Sequence, residues 1–244
     1  MEISQLSETN LDLLRKYDTP TICNVIELFE IRPQTEGYMD ARVRACYPTL
    51  PSMVGYASTA TLRTSAKPSK GDAYSSLDAQ VAGFAGLSQP VVVVFQDLDD
   101  PSAAATFGEV MISTYKAFGA AGLVTSGTAR DLEQVRALEF PCFSDGAICS
   151  HGYPRIVDLH VVVRVGGLVI HPGDLLHGDA NGVTNIPHEI ASEVAQACEA
   201  FVAAEQVAID YVNAGNVTPQ GFAQARAECV RLIGELGGQV RAKR

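Results

Sequence analysis

The sequence has no tryptophan, few basic residues and no apolar run long enough to cross a bilayer. Its longest aliphatic run, residues 91–95, is followed directly by Gln96 and Asp97, whereas a membrane-spanning helix needs roughly 20 apolar residues. Lys and Arg number 18 against 28 Asp and Glu, so the 244-residue chain has a formal net charge of −10. That charge repels phosphate groups. We therefore expect neither a nucleic acid nor a membrane as partner.

Cofactor and export signals are also missing. The six cysteines are scattered without Cys-x-x-Cys spacing, which predicts reduced, mostly buried thiols rather than a zinc site or disulfides. The polar residues Glu2, Ser4 and Glu8 interrupt any apolar core of a signal peptide, so a cytoplasmic protein is expected. Neither G-x-G-x-x-G nor a Walker A motif occurs, which gives nucleotide cofactors no support.

A strand, a helix and a second strand are predicted in the middle of the chain. Residues 90–95 form an all-apolar run typical of a strand buried on both faces of a parallel sheet. After a loop, one helical face carries Phe107, Met111, Tyr115 and Phe118. The helix is expected to end at Gly119, and residues 121–125 form the second strand. The carboxyl ends of the two parallel strands then open on the same side.

The remaining patterns predict an α/β protein with a β-rich layer beside this unit. Helices are expected at 3–17, 19–28 and 72–87, a strand at 54–62, and a hairpin at 161–170. A long helix from His188 and a last helix from Thr218 to about residue 236 complete the chain. We divide it into a catalytic domain, residues 1–187, and a C-terminal helical arm, residues 188–244.

Two groups of residues at the ends of the central strands can do chemistry. Gly108, Glu109, Val110 and Met111 begin the predicted helix, where backbone N–H groups without intrahelical partners attract a carboxylate or phosphate. Arg130 and Asp131 follow the second strand, where the guanidinium can bind a carboxylate and the Asp can bind a hard cation. An oxo-acid between them would have its enolate stabilised. The alternative is that Arg130 and Asp131 form an ordinary ion pair at a helix start.

These residues resemble the RraA-like family, which includes the 4-hydroxy-4-methyl-2-oxoglutarate aldolases. The resemblance rests on the Gly108 group, on residues 122–131 ending in Arg130-Asp131, and on the stretches 171–174 and 179–183. It implies a three-layer β/β/α swivelling-domain fold and a homotrimer or hexamer. It also implies that residues Gly108 to Met111 and Arg130 bind a 2-oxo acid, while Asp131 binds Mg²⁺ or Mn²⁺.

The activity implied by the resemblance is that of a metal-dependent lyase, a class II aldolase. It would release pyruvate from 4-hydroxy-4-methyl-2-oxoglutarate or a similar acid, and it would decarboxylate oxaloacetate. The family also includes non-enzymatic regulators that bind and inhibit an endoribonuclease, which is the second hypothesis. This chain has Gln134 where family aldolases often carry an acidic residue, and Asn181 where an Asp is usual.

Other clusters have weaker patterns. His171, Asp174, His177 and Asp179 match no metal-binding spacing and lie among turn residues. Cys149 and His151 are too close in sequence for a nucleophile to face its base, so we do not expect them to form a catalytic pair. No lysine lies in an apolar strand, which disfavours a Schiff-base aldolase.

Overall fold

The computed structural model describes residues 5–67 and 76–243. Its helices are α1 Glu8–Arg15, α2 Thr19–Glu27, α3 Leu77–Gly83, α4 Glu109–Ala117, α5 Leu132–Ala137, α6 Ala191–Asn213 and α7 Pro219–Ala242. Its strands are β1 Arg44–Ala45, β2 Met53–Arg63, β3 Val91–Asp97, β4 Ala105–Phe107, β5 Ala120–Thr125, β6 Thr128–Ala129, β7 Cys142–Ser144, β8 Arg155–Leu159, β9 Val163–Val165, β10 Leu168–Ile170, β11 Leu175–Asp179 and β12 Gly182–Ile186. None of the described helices has the length and apolar content needed to cross a bilayer.

One mixed sheet forms the centre of the molecule. Its strand order is β1-β7-β5-β3-β2-β11-β12, and β8 also pairs with β2. Strands β2, β3, β5 and β7 are parallel. Strands β1, β8 and β11 pair antiparallel with members of this set, and β12 pairs antiparallel with β11 at the sheet edge. All five residues of the run 91–95 are fully buried, as a central parallel strand requires. The predicted α/β class and parallel central unit are confirmed.

The first two helices lie against α6 on one side of the sheet. Ser7 and Asp18 accept N-cap hydrogen bonds from the backbone at Asn10 (3.3 Å) and Thr21 (2.9 Å), which sets where α1 and α2 begin. Leu14 of α1 is fully buried in the same apolar cluster as apolar residues of α2 and α6. The predicted C-terminal arm therefore contributes to the main core, and the division at residue 187 stays a prediction.

Several boundaries differ from those predicted. The helix expected at 72–87 is described only from Ser76, where α3 and a 3-10 turn at Phe84–Gly86 replace one continuous helix; residues 72–75 lie outside the described residues, as do 3 and 4 of the first helix. The last helix extends to Ala242, beyond the expected end. Phe118 is 57% exposed, so the apolar face of α4 ends at Tyr115. Only Cys142 and Cys198 are buried among six free cysteines, so the expectation of mostly buried thiols was wrong.

Candidate active site

A separate ladder of two very short strands brings the two predicted groups together. Strand β4 pairs parallel to β6, with Phe107 opposite Ala129, and Arg130 N donates to Phe107 O at 3.2 Å. The next residues along the chain are Gly108 after one strand and Arg130 after the other. The sequence predicted these groups at the ends of the central strands, and that position was wrong. They lie at the ends of β4 and β6, which form a separate sheet.

Gly108 is required by the side chains that lie over it. A Cβ built on Gly108 would lie 2.5 Å from Asp131 Oδ2 and 3.0 Å from Arg130 Nε. The backbone at Gly108 is extended, with φ −155°, so any residue type could adopt it. The missing side chain therefore makes room for Arg130 and Asp131.

Asp131 is held by the start of α4. Its Oδ2 accepts a hydrogen bond from Glu109 N at 3.1 Å and lies 3.7 Å from Arg130 Nε. Asp131 has a left-handed backbone, with φ 55° and ψ 41°, and its side chain makes no capping hydrogen bond to α5, the helix that it precedes. The Arg130–Asp131 ion pair of the alternative hypothesis is therefore present, but it is longer than a hydrogen bond, and it leaves the Nη groups of Arg130 without partners among the described residues.

The other residues at the start of α4 have separate positions. The Met111 side chain is buried in the core, and the Val110 side chain is 61% exposed. Both N–H groups lie in the first helical turn and have no intrahelical acceptor. The Glu109 N–H already donates to Asp131. Of the predicted group Gly108 to Met111, the N–H groups that remain free in the first turn are therefore those of Val110 and Met111.

A small cavity lies at the end of the β4–β6 ladder. It is lined by Ala105, Thr106, Phe107, Gly108, Val110, Met111, Arg130, His151 and Pro154. Four of the predicted site residues are in this set, while Glu109 and Asp131 lie beside it. His151 and Pro154 were not predicted as site residues. They lie in a loop more than 20 residues after Arg130, and no sequence motif connects that loop with Arg130.

Tyr47 supports the segment that carries Asp131. Its hydroxyl donates to Leu132 O at 2.8 Å, directly after Asp131. Burial raises the pKa of Tyr47 well above its usual range, and the Arg136 guanidinium lies over its ring at 5.9 Å. The phenol therefore stays protonated and remains a hydrogen-bond donor at neutral pH.

A larger cleft, of about 540 Å³, lies at the carboxyl ends of β3 and β5. It includes Asp97, Asp99 and Asp145, together with Arg42 and Arg164. Burial raises the pKa of Asp97, and its Oδ2 is buried without a hydrogen-bond partner among the described residues. A Cβ built on Gly127 would lie 2.8 Å from Asp97 Oδ2. This oxygen is therefore directed at the backbone between β5 and β6.

The 171–179 stretch is structural. His177 is fully buried; its Nε2 donates to Leu14 O at 3.1 Å, and its Nδ1 lies 3.0 Å from Thr19 Oγ1. Asp179 Oδ2 accepts from Thr19 N at 2.8 Å, and Asp174 Oδ2 accepts from His171 N at 2.8 Å. These bonds attach α2 and a turn to the sheet. No three His, Cys, Asp or Glu side chains within the described ranges are placed to hold a metal together.

Asp131 fits a hydrated divalent cation better than a cage of protein ligands. Only one of its carboxylate oxygens is occupied, by the Glu109 amide, and its side chain is 32% exposed. Mg²⁺ commonly binds through one or two carboxylates and keeps several waters. One accessible carboxylate oxygen beside an open cavity is therefore a suitable donor set for Mg²⁺ or Mn²⁺.

Comparison with known proteins agrees with this fold and these motifs. The family model described as RraA-like, Aldolase/RraA, matches residues 19–184. The chain belongs to the RraA-like family. The match includes the β4–β6 ladder, Arg130, Asp131 and His151.

A relative from Halalkalibacterium halodurans, named "Putative 4-hydroxy-4-methyl-2-oxoglutarate aldolase", is 37% identical over 101 residues. The alignment covers 41% of this chain and 48% of that relative. The matched region thus spans about half the length of this relative.

Solved structures share the RraA-like fold over most of their length. A Pseudomonas syringae pv. tomato protein has a TM-score of 0.72 at 22% identity, covering 93% of this chain and 97% of that one. Streptomyces coelicolor RraAS2, described as an unusual member of the RNase ES inhibitor RraA protein family, has a TM-score of 0.64 at 25% identity, covering 82% and 96%. The three-layer β/β/α fold expected from the sequence is confirmed.

Proposed function

We propose that this protein is a divalent-metal-dependent lyase that releases pyruvate from a short hydroxy-oxo acid. The substrate class is 4-hydroxy-4-methyl-2-oxoglutarate or a similar acid, and oxaloacetate decarboxylation is a second activity of the same site. The proposal is supported by the name of the Halalkalibacterium relative and by family membership. The observation that carries it is the cavity beside the β4–β6 ladder.

Two positive features lie at this cavity in a protein whose net charge is −10. The Arg130 side chain lines it, with Nη donors that have no partner among the described residues. The first turn of α4 adds the Val110 and Met111 N–H groups at the positive end of the helix. A charged hydrogen bond contributes about 1.5–3 kcal/mol to binding, so Arg130 and two amides are enough to orient a carboxylate.

Asp131 would hold the cation, and its neighbours would keep it in place. A bound Mg²⁺ or Mn²⁺ would supply the positive charge that stabilises the enolate oxygen of pyruvate. The Glu109 amide fixes one oxygen of Asp131, and Tyr47 fixes the backbone that follows it. Gly108, Glu109 and Arg130 therefore act partly by holding Asp131 in position.

The test measures pyruvate with lactate dehydrogenase, using oxaloacetate and 4-hydroxy-4-methyl-2-oxoglutarate, with Mg²⁺ and with excess chelator. We expect metal-dependent turnover of both substrates. Asp131→Asn should lower kcat/KM by about 100-fold or more, since losing roughly 3 kcal/mol of charge stabilisation has that effect. Asp12→Asn, in an exposed ion pair on α1, is the matched control and should keep wild-type activity. Turnover that is absent or unaffected by chelator would refute the proposal.

The second candidate is a non-enzymatic regulator that binds and inhibits an endoribonuclease. It is favoured by the likeness to RraAS2, which covers most of both chains. Inhibition of a purified endoribonuclease, together with no pyruvate from either substrate, would favour this candidate. The same inhibition by Asp131→Asn would show that it is independent of the cavity.

We also propose that the protein assembles as a homotrimer or hexamer in the cytoplasm. Val110 and Leu132 are exposed apolar side chains beside the site, at 61% and 39%, which supports a neighbouring subunit there. Six free cysteines fit a reducing compartment. Light scattering coupled to gel filtration gives the assembly size directly.

A further inference from the structure

We propose that His151 is the general base that takes the hydroxyl proton of the substrate in the aldol cleavage. This inference rests on the proposed function, because it assigns a role at the same cavity. Cleavage of the C3–C4 bond of a 4-hydroxy-2-oxo acid requires a group that accepts the proton of the C4 hydroxyl. Arg130 and the α4 amides bind the substrate's carboxylate and Asp131 binds the cation, so none of them has that role.

The composition of the cavity wall singles out His151. Among the nine described residues that line it, only Arg130 and His151 have ionisable side chains. A guanidinium stays protonated in proteins and cannot act as a base, whereas imidazole accepts a proton near neutral pH. Thr106, the other polar side chain, already donates its hydroxyl proton inside the ladder region, toward Thr128 O at 3.0 Å and Thr125 Oγ1 at 3.2 Å.

The nearby carboxylates are less suitable as bases. Asp131 holds the Glu109 amide and is the proposed metal ligand. The side chain of Glu109 is exposed and does not line the cavity. His151 is thus the described proton acceptor in direct contact with the space where a substrate would lie.

The imidazole of His151 is oriented by its own loop. Its Nδ1 lies 2.8 Å from Gly152 O, and because a carbonyl oxygen only accepts, Nδ1 carries the proton in this contact. In the neutral ring, Nε2 is then the unprotonated nitrogen. The neutral ring therefore keeps one nitrogen free to accept a proton, and its tautomer is set by the same kind of backbone contact that often orients a functional histidine.

The loop itself is attached to the strands that build the site. Ser150 O accepts from Ala105 N of β4 at 2.8 Å, and Tyr153 N donates to Thr64 O at 2.9 Å. Gly152 has φ +52°, and a Cβ there would lie 2.7 Å from Thr64 O. The close approach that this glycine permits holds the His151 loop against the end of β2, and the Ser150–Ala105 bond holds it against β4, which leads directly to Gly108.

The proposed step conserves protons and electrons without a further reactant. Nε2 of His151 takes the C4 hydroxyl proton, and the released O–H electron pair forms the new C4 carbonyl. The C3–C4 bond breaks, and its electron pair moves toward the C2 carbonyl to give the enolate of pyruvate. The imidazolium then returns its proton to C3, which yields pyruvate and leaves His151 neutral.

Oxaloacetate decarboxylation separates this role from every binding role. That substrate has a carboxylate at C4 and no C4 hydroxyl. Loss of carbon dioxide therefore gives the same enolate without removal of a hydroxyl proton. Replacing the base should therefore slow aldol cleavage far more than decarboxylation. Loss of a residue that only binds substrate or supports the loop should slow both reactions together.

The experiment measures kcat and KM for both substrates with wild type, His151→Gln and His151→Ala. We expect aldol kcat to fall by about 10²–10⁴-fold in both variants, with decarboxylation kcat and the melting temperature close to wild type. Added imidazole should restore part of the aldol activity of His151→Ala. His171→Gln, at an exposed turn, is the matched control and should leave both reactions unchanged. Equal loss of both activities, or loss of neither, would overturn the assignment to His151 while leaving the proposed function intact.

A second readout does not depend on turnover. In ¹⁵N-histidine-labelled protein, the neutral His151 ring should show a protonated Nδ1 and an unprotonated Nε2, and the His151→Gln spectrum assigns the signal. A proton on Nε2 of the neutral ring would overturn the proposal. If wild type forms no pyruvate from either substrate, the proposed function fails, and the role of His151 fails with it.

Discussion

Substitution of Gly108 by alanine tests the geometry of the site most directly. A Cβ at this position would lie 2.5 Å from Asp131 Oδ2, whereas unstrained contacts between heavy atoms are at about 3.5 Å. The carboxylate must therefore retreat by roughly 1 Å, away from the Glu109 amide that it now accepts from at 3.1 Å. A misplacement of about 1 Å at a reacting site can lower the rate by around 100-fold. We expect a loss of that size in kcat for both substrates.

The stability of Gly108→Ala should change much less than its activity. Losing a hydrogen bond to a charged group costs about 1.5–3 kcal/mol, and replacing glycine by alanine at an allowed φ returns about 0.4–1 kcal/mol. The expected loss in the free energy of unfolding is therefore about 0.5–2.6 kcal/mol, measured by urea denaturation. The activity is measured with the coupled pyruvate assay, and Mn²⁺ affinity by titration calorimetry.

Gly86→Ala is the control for Gly108→Ala, because a Cβ at Gly86 meets no atom within 4 Å. It should change neither turnover nor Mn²⁺ affinity. Wild-type turnover and unchanged Mn²⁺ affinity in Gly108→Ala would refute the argument that Gly108 makes room for Asp131.

Two further predictions concern the residues that support the fold and the site. Burial lowers the pKa of His177 in the folded state, so its stabilising contribution is complete above the unfolded pKa of about 6.5 and is lost as the pH falls from there toward the folded value. His177→Gln should remove this part of the pH dependence of urea unfolding, up to about 1.4 kcal/mol per pH unit, and His171→Gln should not. Tyr47→Phe removes the hydrogen bond to Leu132 O and should cost about 1 kcal/mol, or about 2–4 °C in Tm by calorimetry. Tyr153→Phe is its exposed control, and an unchanged Tm in Tyr47→Phe would contradict the supporting role.

The central strands and the long helices could be predicted because their patterns are long. The run at 91–95 is entirely apolar, and α6 is 23 residues long with buried residues recurring from Ala191 to Ala204. Strands β4 and β6 could not be found this way, because three and two residues are too few to show a period. Their pairing depends on tertiary contacts. The sequence therefore predicted the site residues at the ends of the central sheet's strands, whereas they follow β4 and β6.

Local sequence motifs indicated residues that the structure brings together, but not those that tertiary structure adds to them. Helix-start and charge arguments singled out Arg130 and Gly108, and both line the same cavity. His151 had been set aside because its neighbour Cys149 could not face it, and that argument said nothing about contacts across the fold. The loop bonds to Ala105 and Thr64 that bring His151 to the cavity have no counterpart in sequence spacing.

The contact of α1 and α2 with α6 has a consequence for synthesis of the chain on the ribosome. Leu14 is buried against a helix that contains Val194, roughly 180 residues later, and translation at about 5–20 residues per second needs on the order of ten seconds or more to reach it. During that interval the apolar faces of the first two helices lack α6, and for most of it only β2 residues such as Val54 and Tyr56 of their cluster have been synthesised. We therefore expect the nascent chain to expose Leu11, Leu14 and Ile22 until late in translation, and to depend on chaperones that bind apolar segments.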